Sequence, residues 1–235
     1  MPAPITVHYW PTPNGQKVTI ALEEMGLPYE VRLVDIGRGE QFSPSFLAIS
    51  PNNRMPAIED PEGPDGEPIA VFESGAILQY LARKTGAFCG RTERERVAVD
   101  QWLMPQMGGV GPMAGQAHHF LTYAPQLDPS QVLPYAQDRY RREVGRLYGV
   151  LDRQLARTGG FVASDEFTIA DMAIYPWARG WERQEQSLDD KPHMAAWLDA
   201  CAGRPGVERG MAVGAEARAP GPMSREEQEI LFGRR

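Results

Sequence analysis

The apolar pattern changes its period near residue 90, and that change limits what this 235-residue chain can fold into. Ahead of it, short β-like runs alternate with helical ones. Ile5 to Tyr9 has strand composition, and Tyr29 to Asp35 alternates like a strand. Between them, Lys17 to Met25 places Val18, Ala21, Leu22 and Met25 on one helical face; Gly26 stops that helix and Pro28 prevents continuation. Phe42 to Ser50 reads as a turn or two of helix. Pro56 to Asp60 and Pro68 to Phe72 read as strands around the turn PEGPDG. Ser74 to Lys84 reads as a helix with Ser74 as N-cap and Arg83 and Lys84 at its negative end. The order β-α-β, α, β-β, α makes one small mixed sheet, its parallel pair joined by a crossover helix.

Beyond residue 90 the strand signals stop. Thr92 to Met107, Tyr135 to Leu155, Thr168 to Trp181 and His193 to Ala202 read as helices. Thr168 and Asp171 have capping-box spacing, and Pro134 suits a helix start. The tail after Arg204, rich in Gly, Ala, Pro and charge, is expected to be loosely held. With 42% hydrophobic and 23% charged residues the composition suits a folded protein with no membrane-spanning run. A net charge of −7 argues against nucleic acid as a partner. MPAPITVHYW carries no secretory pattern, and Cys89 and Cys201 have no metal or redox spacing, so a cytoplasmic location without structural disulfides is expected.

The α/β half concentrates its chemistry in four places. YWPTPNGQKV carries a strand end, a turn and a helix start, where unpaired N–H groups and a positive dipole end favour an anion. Redox proteins often place two thiols at such a turn; here stand Thr12 and Asn14. Asn53-Arg54-Met55-Pro56 puts a proline just ahead of a strand, a candidate cis bond that would leave the Met55 backbone free to pair with an extended peptide. Glu73-Ser74 stands at a helix start, able to receive a ligand carboxylate, and Gln41 is a candidate amide donor. Taken singly, Asn14-Gly15 is an ordinary turn, Glu73-Ser74 an ordinary cap and Arg54 a solvated charge.

Taken jointly, TPNGQKVTIALEE, RGEQFSPSFLAISPNNRMPAI, VFESGAILQYLA, GPMAGQAHHF and FTIADMAIYPW resemble the glutathione transferase family over roughly residues 5 to 205. TPNG with the HHF stretch is similar to the Nu class and to the related prion-regulator-like transferases. The resemblance implies an α/β thioredoxin-like N-terminal domain (residues 1–90), an all-α C-terminal domain (residues 91–235) and a homodimer. It assigns Thr12 and Asn14 to the glutathione sulfur, Met55 to a backbone clamp, Glu73 and Ser74 to the γ-glutamyl end, and Gln41, Asn53 and Arg54 to the rest of the tripeptide. Arg139 is assigned to a site at the dimer interface, with its neighbours Arg141, Arg142 and Arg146 read as a solvated face.

The thiol would then come from the ligand. The resemblance implies a disulfide reductase using two glutathiones as co-substrate, without metal, acting on a small-molecule or disulfide substrate. Transfer of glutathione to electrophiles, reduction of hydroperoxides, and a non-catalytic glutathione-binding regulatory module are the alternatives. His118 and His119 lie ~100° apart on a helix, which serves a metal poorly; with Phe120 and Trp177 they are candidates for the second-substrate pocket. Trp102 and Trp181 read mainly as core, and GGVGP lacks phosphate-loop spacing.

Overall fold

A computed structural model of the chain describes residues 2–127, 129–217 and 223–233. Four strands, β1 (Ile5–Tyr9), β2 (Tyr29–Leu33), β3 (Ala57–Asp60) and β4 (Ile69–Phe72), form one sheet in the order β2-β1-β3-β4. β1 and β2 are parallel and the other pairs antiparallel. Helix α1 (Pro13–Met25) links the parallel pair, and α2 (Pro44–Ile49) and α3 (Ser74–Thr85) follow. This is the thioredoxin-like arrangement. Gly26 ends α1 at φ 64°, a left-handed cap that glycine adopts at little cost.

The rest of the chain is helical: α4 (Glu93–Pro105), α5 (Gly111–His118), α6 (Pro134–Thr158), α7 (Ile169–Ala178), α8 (Pro192–Ala202), α9 (Pro205–Ala212) and α10 (Arg225–Phe232). Among the described residues no helix is long and apolar enough to cross a membrane. The capping box at α7 is present, and its carboxylate does more than cap. Asp171, fully buried, also accepts from the Val162 N–H at 2.8 Å and from Trp197 Nε1 at 2.9 Å, tying α7 to α8. Burial pushes its carboxyl up, and these donors pull the other way.

Several expectations need correction. β2 stops at Leu33, and α7 stops at Ala178, three residues short of Trp181. Ser74 is not the N-cap of α3. Glu73 holds that position at φ 69° and gives no side-chain hydrogen bond to the first turn. The glycine-rich run after Met107 is helical too. A wide turn over 106–110 leads into α5, and the buried Gln106 side chain braces it: its Oε1 accepts at 2.9 Å from Gly111 N–H, which also bonds to Gln106 O, and its Nε2 donates to Ala173 O at 2.8 Å.

The tail differs most. Of residues 205–235, those at 218–222 and 234–235 lie outside the described residues, but the rest includes two helices. α9 packs directly on α1. Thr19 Oγ1 donates to Gly210 O at 2.7 Å, and a Cβ at Gly210 would stand 2.5 Å from Ile20 Cα. Arg204 and Arg209 pair with Glu24 and Glu23 at the end of α1. Helix α1 is thus covered on the side away from the sheet, so Thr19 and Ile20 are buried along with Val18, Ala21 and Leu22. A methyl group at position 210 has only backbone to displace. Gly210→Ala is expected to cost on the order of 3 kcal/mol in a urea-denaturation measurement; stability within experimental error of the parent would refute this close packing.

Candidate active site

The sheet register brings three loops to one end. Ala57 lies opposite His8 on one side and Phe72 on the other. The loop after Tyr9, the Met55–Pro56 turn and the Glu73–Ser74 turn therefore leave the sheet side by side. The Met55–Pro56 bond is cis. Met55 stands two residues ahead of β3, so the strand ladder does not use its backbone groups. Ser50 Oγ, donating to Arg54 O at 2.8 Å, braces this turn.

The start of α1 sits tightly against the turn. A Cβ at Gly15 would lie 2.4 Å from Trp10 O and 2.8 Å from Met55 Cε, so this position admits no side chain. Thr12 is the N-cap: its Oγ1 accepts from Gly15 N–H at 3.3 Å and donates to Met55 Sδ at 3.4 Å. The hydroxyl hydrogen thus points at a sulfur already, though a weakly accepting one. Trp177 Nε1, which can only donate, lies 2.9 Å from Asn14 Oδ1. That bond fixes the Asn14 amide: its carbonyl is spent on α7, and its NH2 remains to donate. The nearby Tyr9 hydroxyl is spent on Val213 O at 2.9 Å, and burial pushes its pKa up to about 12.

Thr12, Asn14, Gln41, Asn53, Arg54 and Met55 line one cavity of about 360 Å³ between the sheet loops and the helices. His118 and Trp177 line its helical wall, and Ile230 and Leu231 of α10 close it. Gln41 differs from expectation in its role. Its Nε2 donates to Ile36 O at 3.2 Å, and its buried Oε1 has no partner, so what it has to offer is an acceptor. A second cavity of about 250 Å³ shares Thr12, Pro13, Ile36, His118, Tyr123 and Leu231 with the first. Trp10, Tyr123 and Phe232 give it aromatic walls, and Arg183, Asp35 and Glu227 give it charge. Among the described residues no cysteine lines either cavity. Cys201 is fully buried, which pushes its thiol well up, and Cys89 stands half-buried with Sγ 3.8 Å from Gly90 O.

Other expected residues fall elsewhere. Glu73 and Ser74 sit beside the cis turn but outside the lining of both cavities. Arg139 is exposed on α6 near Glu143 and is not brought to either cavity of its own chain. Phe120 stacks on Tyr140 with ring centroids 5.3 Å apart. His119 packs between Phe120 and Phe232, and burial holds its imidazole below the ordinary value. Neither lines a cavity, because the adjacent His118 takes the inward direction. The residues missed by sequence reading are Tyr123, Arg183, Ile230, Leu231 and Lys17. The first four are placed by tertiary packing alone and carry no motif. Among the described residues no cluster of three or more His, Cys, Asp or Glu is placed to hold a metal ion.

Lys17 is only 1% exposed, and burial pulls its ammonium down to about 7, with Glu73 acting in the opposite sense. An unfolded lysine titrates at ~10.4. Between about 7 and that value the unfolded chain holds a proton that the folded chain has lost, so this group makes stability rise with pH through the window. Below it both states are charged, and the folded state bears the full desolvation cost. Lys17→Met should therefore raise the thermal midpoint most at pH 6, with the gain shrinking toward pH 10. A gain that grows with pH would contradict the assignment.

Family models for the glutathione S-transferase N-terminal domain and C-terminal domain match residues 12–84 and 116–205. The disulfide-bond oxidoreductase YfcG of Escherichia coli strain K12 is 48% identical over 202 residues, covering 86% of this chain and 91% of the relative. A glutathione transferase from Pseudomonas putida, solved with one glutathione disulfide bound per subunit, superposes with a TM-score of 0.84 at 42% identity, covering 89% and 91% of the two chains. One from Burkholderia graminis, solved with two glutathione molecules per subunit, superposes at 0.83 with 41% identity, covering 92% and 90%. The chain belongs to the glutathione transferase family.

Proposed function

We propose that the chain is an enzyme that reduces disulfides with glutathione, of the Nu type, and that it activates the thiol at a site without cysteine. One observation carries the reading: Trp177 orients Asn14 beside Thr12 at the start of α1, in the cleft between the two halves. A free thiol titrates at roughly 8.5 and is only a few per cent ionised near neutrality. The Thr12 hydroxyl, the Asn14 NH2 and the dipole of α1 favour its anion. Glutathione thiolate attacks the substrate disulfide, forming a mixed disulfide and releasing one substrate thiol. A second glutathione thiolate attacks the glutathione sulfur of that mixed disulfide, releasing the second thiol and leaving glutathione disulfide. Two glutathiones are oxidised for each disulfide reduced.

Gln41, Asn53, Arg54 and the Met55 backbone serve the first tripeptide, with Glu73 and Ser74 at its γ-glutamyl end. The second cavity suits the partner sulfur compound, and Arg183 is placed to supply the cation first expected from Arg139. Relatives solved with glutathione disulfide or with two glutathiones support this occupancy. We further infer division into two domains near residue 90, a cytoplasmic location and a homodimer. Phe72, Val97 and Met104 are exposed apolar side chains, the last two seven residues apart on α4, which suits a partner surface.

Turnover of hydroxyethyl disulfide with glutathione tests the reading, with a chlorinated aromatic assayed in parallel. Thr12→Val combined with Asn14→Ala should lower kcat/KM about a hundredfold or more with the fold intact. Trp177→Phe, which keeps the ring and removes only the donor, should lower kcat about tenfold. Activity within twofold of the parent in the double variant would remove both residues from the mechanism.

The cysteines provide an independent check. Cys89→Ser combined with Cys201→Ala should retain most of the reductase activity. Loss of turnover in a folded variant would point to a mixed disulfide with the protein itself.

A further inference from the structure

We propose that Lys17 is a positioning residue for the γ-glutamyl head of glutathione, acting through Ser74 to set the first turn of α3 as a carboxylate site; this rests on the glutathione reading above. Lysine is almost never fully buried without an anionic partner. Lys17 is fully buried, yet among the described residues it makes no ion pair. Its Nζ donates to Ser74 Oγ at 3.4 Å and approaches Met107 Sδ at 3.7 Å, and both acceptors are neutral. Glu73 is the charged group that acts on it; the neighbours from α3 and from the turn at 106–110 carry no charge.

The consequence for Ser74 is directional. An ammonium cannot accept a hydrogen bond, so while Lys17 is charged the Ser74 oxygen receives from it and the Ser74 hydrogen must point elsewhere. Its present acceptor is Met107 Sδ, 3.9 Å away, a distant and weak one. The first turn of α3 has no side-chain cap, so its N–H groups are also available. A hydroxyl forced to donate, uncapped N–H groups and a buried positive charge behind them together suit a carboxylate. Exposed Glu73 stands beside them and suits an ammonium. An α-amino acid head carries both groups, and glutathione has one such head, the γ-glutamyl end.

A neutral Lys17 amine could accept from Ser74 and turn the hydroxyl inward. Carboxylate binding and the Lys17 proton are therefore linked: the ligand favours the charged form, binding takes up a proton, and affinity falls as pH rises from about 7 to 9.

The probe is S-methylglutathione, which has no thiol proton to lose. Calorimetry on the intact protein at pH 8, in two buffers of different ionisation enthalpy, should show proton uptake by the parent that Lys17→Met lacks. At pH 6.5 Lys17→Met should bind about ten- to a hundredfold more weakly, and the gap should narrow by pH 9. An S-methylated analogue with 4-aminobutyrate in place of the γ-glutamyl group, lacking its α-carboxylate, should bind both proteins alike. Equal affinity of parent and variant for S-methylglutathione at pH 6.5, or no uptake by the parent, overturns the Lys17 assignment alone. If the variant fails to fold, uptake by the parent decides. Failure of the parent to bind S-methylglutathione at any pH overturns the glutathione reading and the assignment with it.

Discussion

Helix α1 is buried on two opposite faces, and the geometry of the site follows from that. Val18, Ala21 and Leu22 belong to the core it shares with the sheet half, while α9 covers the side of Thr19 and Ile20 and α7 packs on the helix from Asn14. A helix held on both sides cannot rock, so its first turn is fixed against both the cis-proline turn and the helical wall. Thr12 receives its sulfur-facing neighbour from β3's approach and Asn14 its orientation from α7. Close packing extends to the backbone at the start and the middle of the helix: Gly15 admits Trp10 O and Met55, and Gly210 admits Ile20. Neither approach leaves room for a side chain.

What could be read from the sequence was what local chemistry determines. The left-handed stop at Gly26, the capping box at Thr168 and the two periodicities on either side of residue 90 depend on neighbours a few positions away. The motif residues lining the first cavity were legible for the same reason, since TPNG and NNRMP build their own turns. What escaped depends on distant partners. The tail after Arg204 reads as loose because it is rich in Gly, Ala, Pro and charge, yet two glycines let α9 lie on α1. GGVGP suggests no element in the sequence, and no local rule says that the Gln106 side chain will brace this run as a helical turn. Lys17 opens a helical run in the sequence, and nothing local says that Ser74 of α3 and Met107 will close around it.

An acidic chain with an anionic ligand invites a search for clustered arginines, and α6 has them, read from the sequence as a solvated face apart from Arg139. The structure uses that cluster on the surface: Arg142 pairs with Asp138, Arg146 with Glu143 and Arg141 with Glu185. Exposed pairs of this kind contribute little to stability and leave little charge for a ligand. The first cavity is lined mainly by neutral side chains instead, with one exposed guanidinium, Arg54. Oriented dipoles stabilise a sulfur anion without attracting every anion in solution, and they cost no reorganisation when the charge forms.

The same economy governs protonation. Thr12, Asn14 and Trp177 do not titrate in the working range, and Tyr9 is both occupied and pushed up to about 12. In the proposed function the thiol to be ionised belongs to the ligand, so any pH dependence in the chemistry of the sulfur is a property of glutathione as the site perturbs it, and on the Lys17 proposal that of binding includes Lys17. On the two readings proposed above, the ends of one tripeptide are read by opposite strategies: fixed donors lower the cost of losing a proton at the sulfur, and a buried amine gains one at the γ-glutamyl head as the carboxylate arrives. Both devices sit within one and a half turns of the same helix, between Thr12 and Lys17, so the double burial of α1 that aligns the first also isolates the second from water.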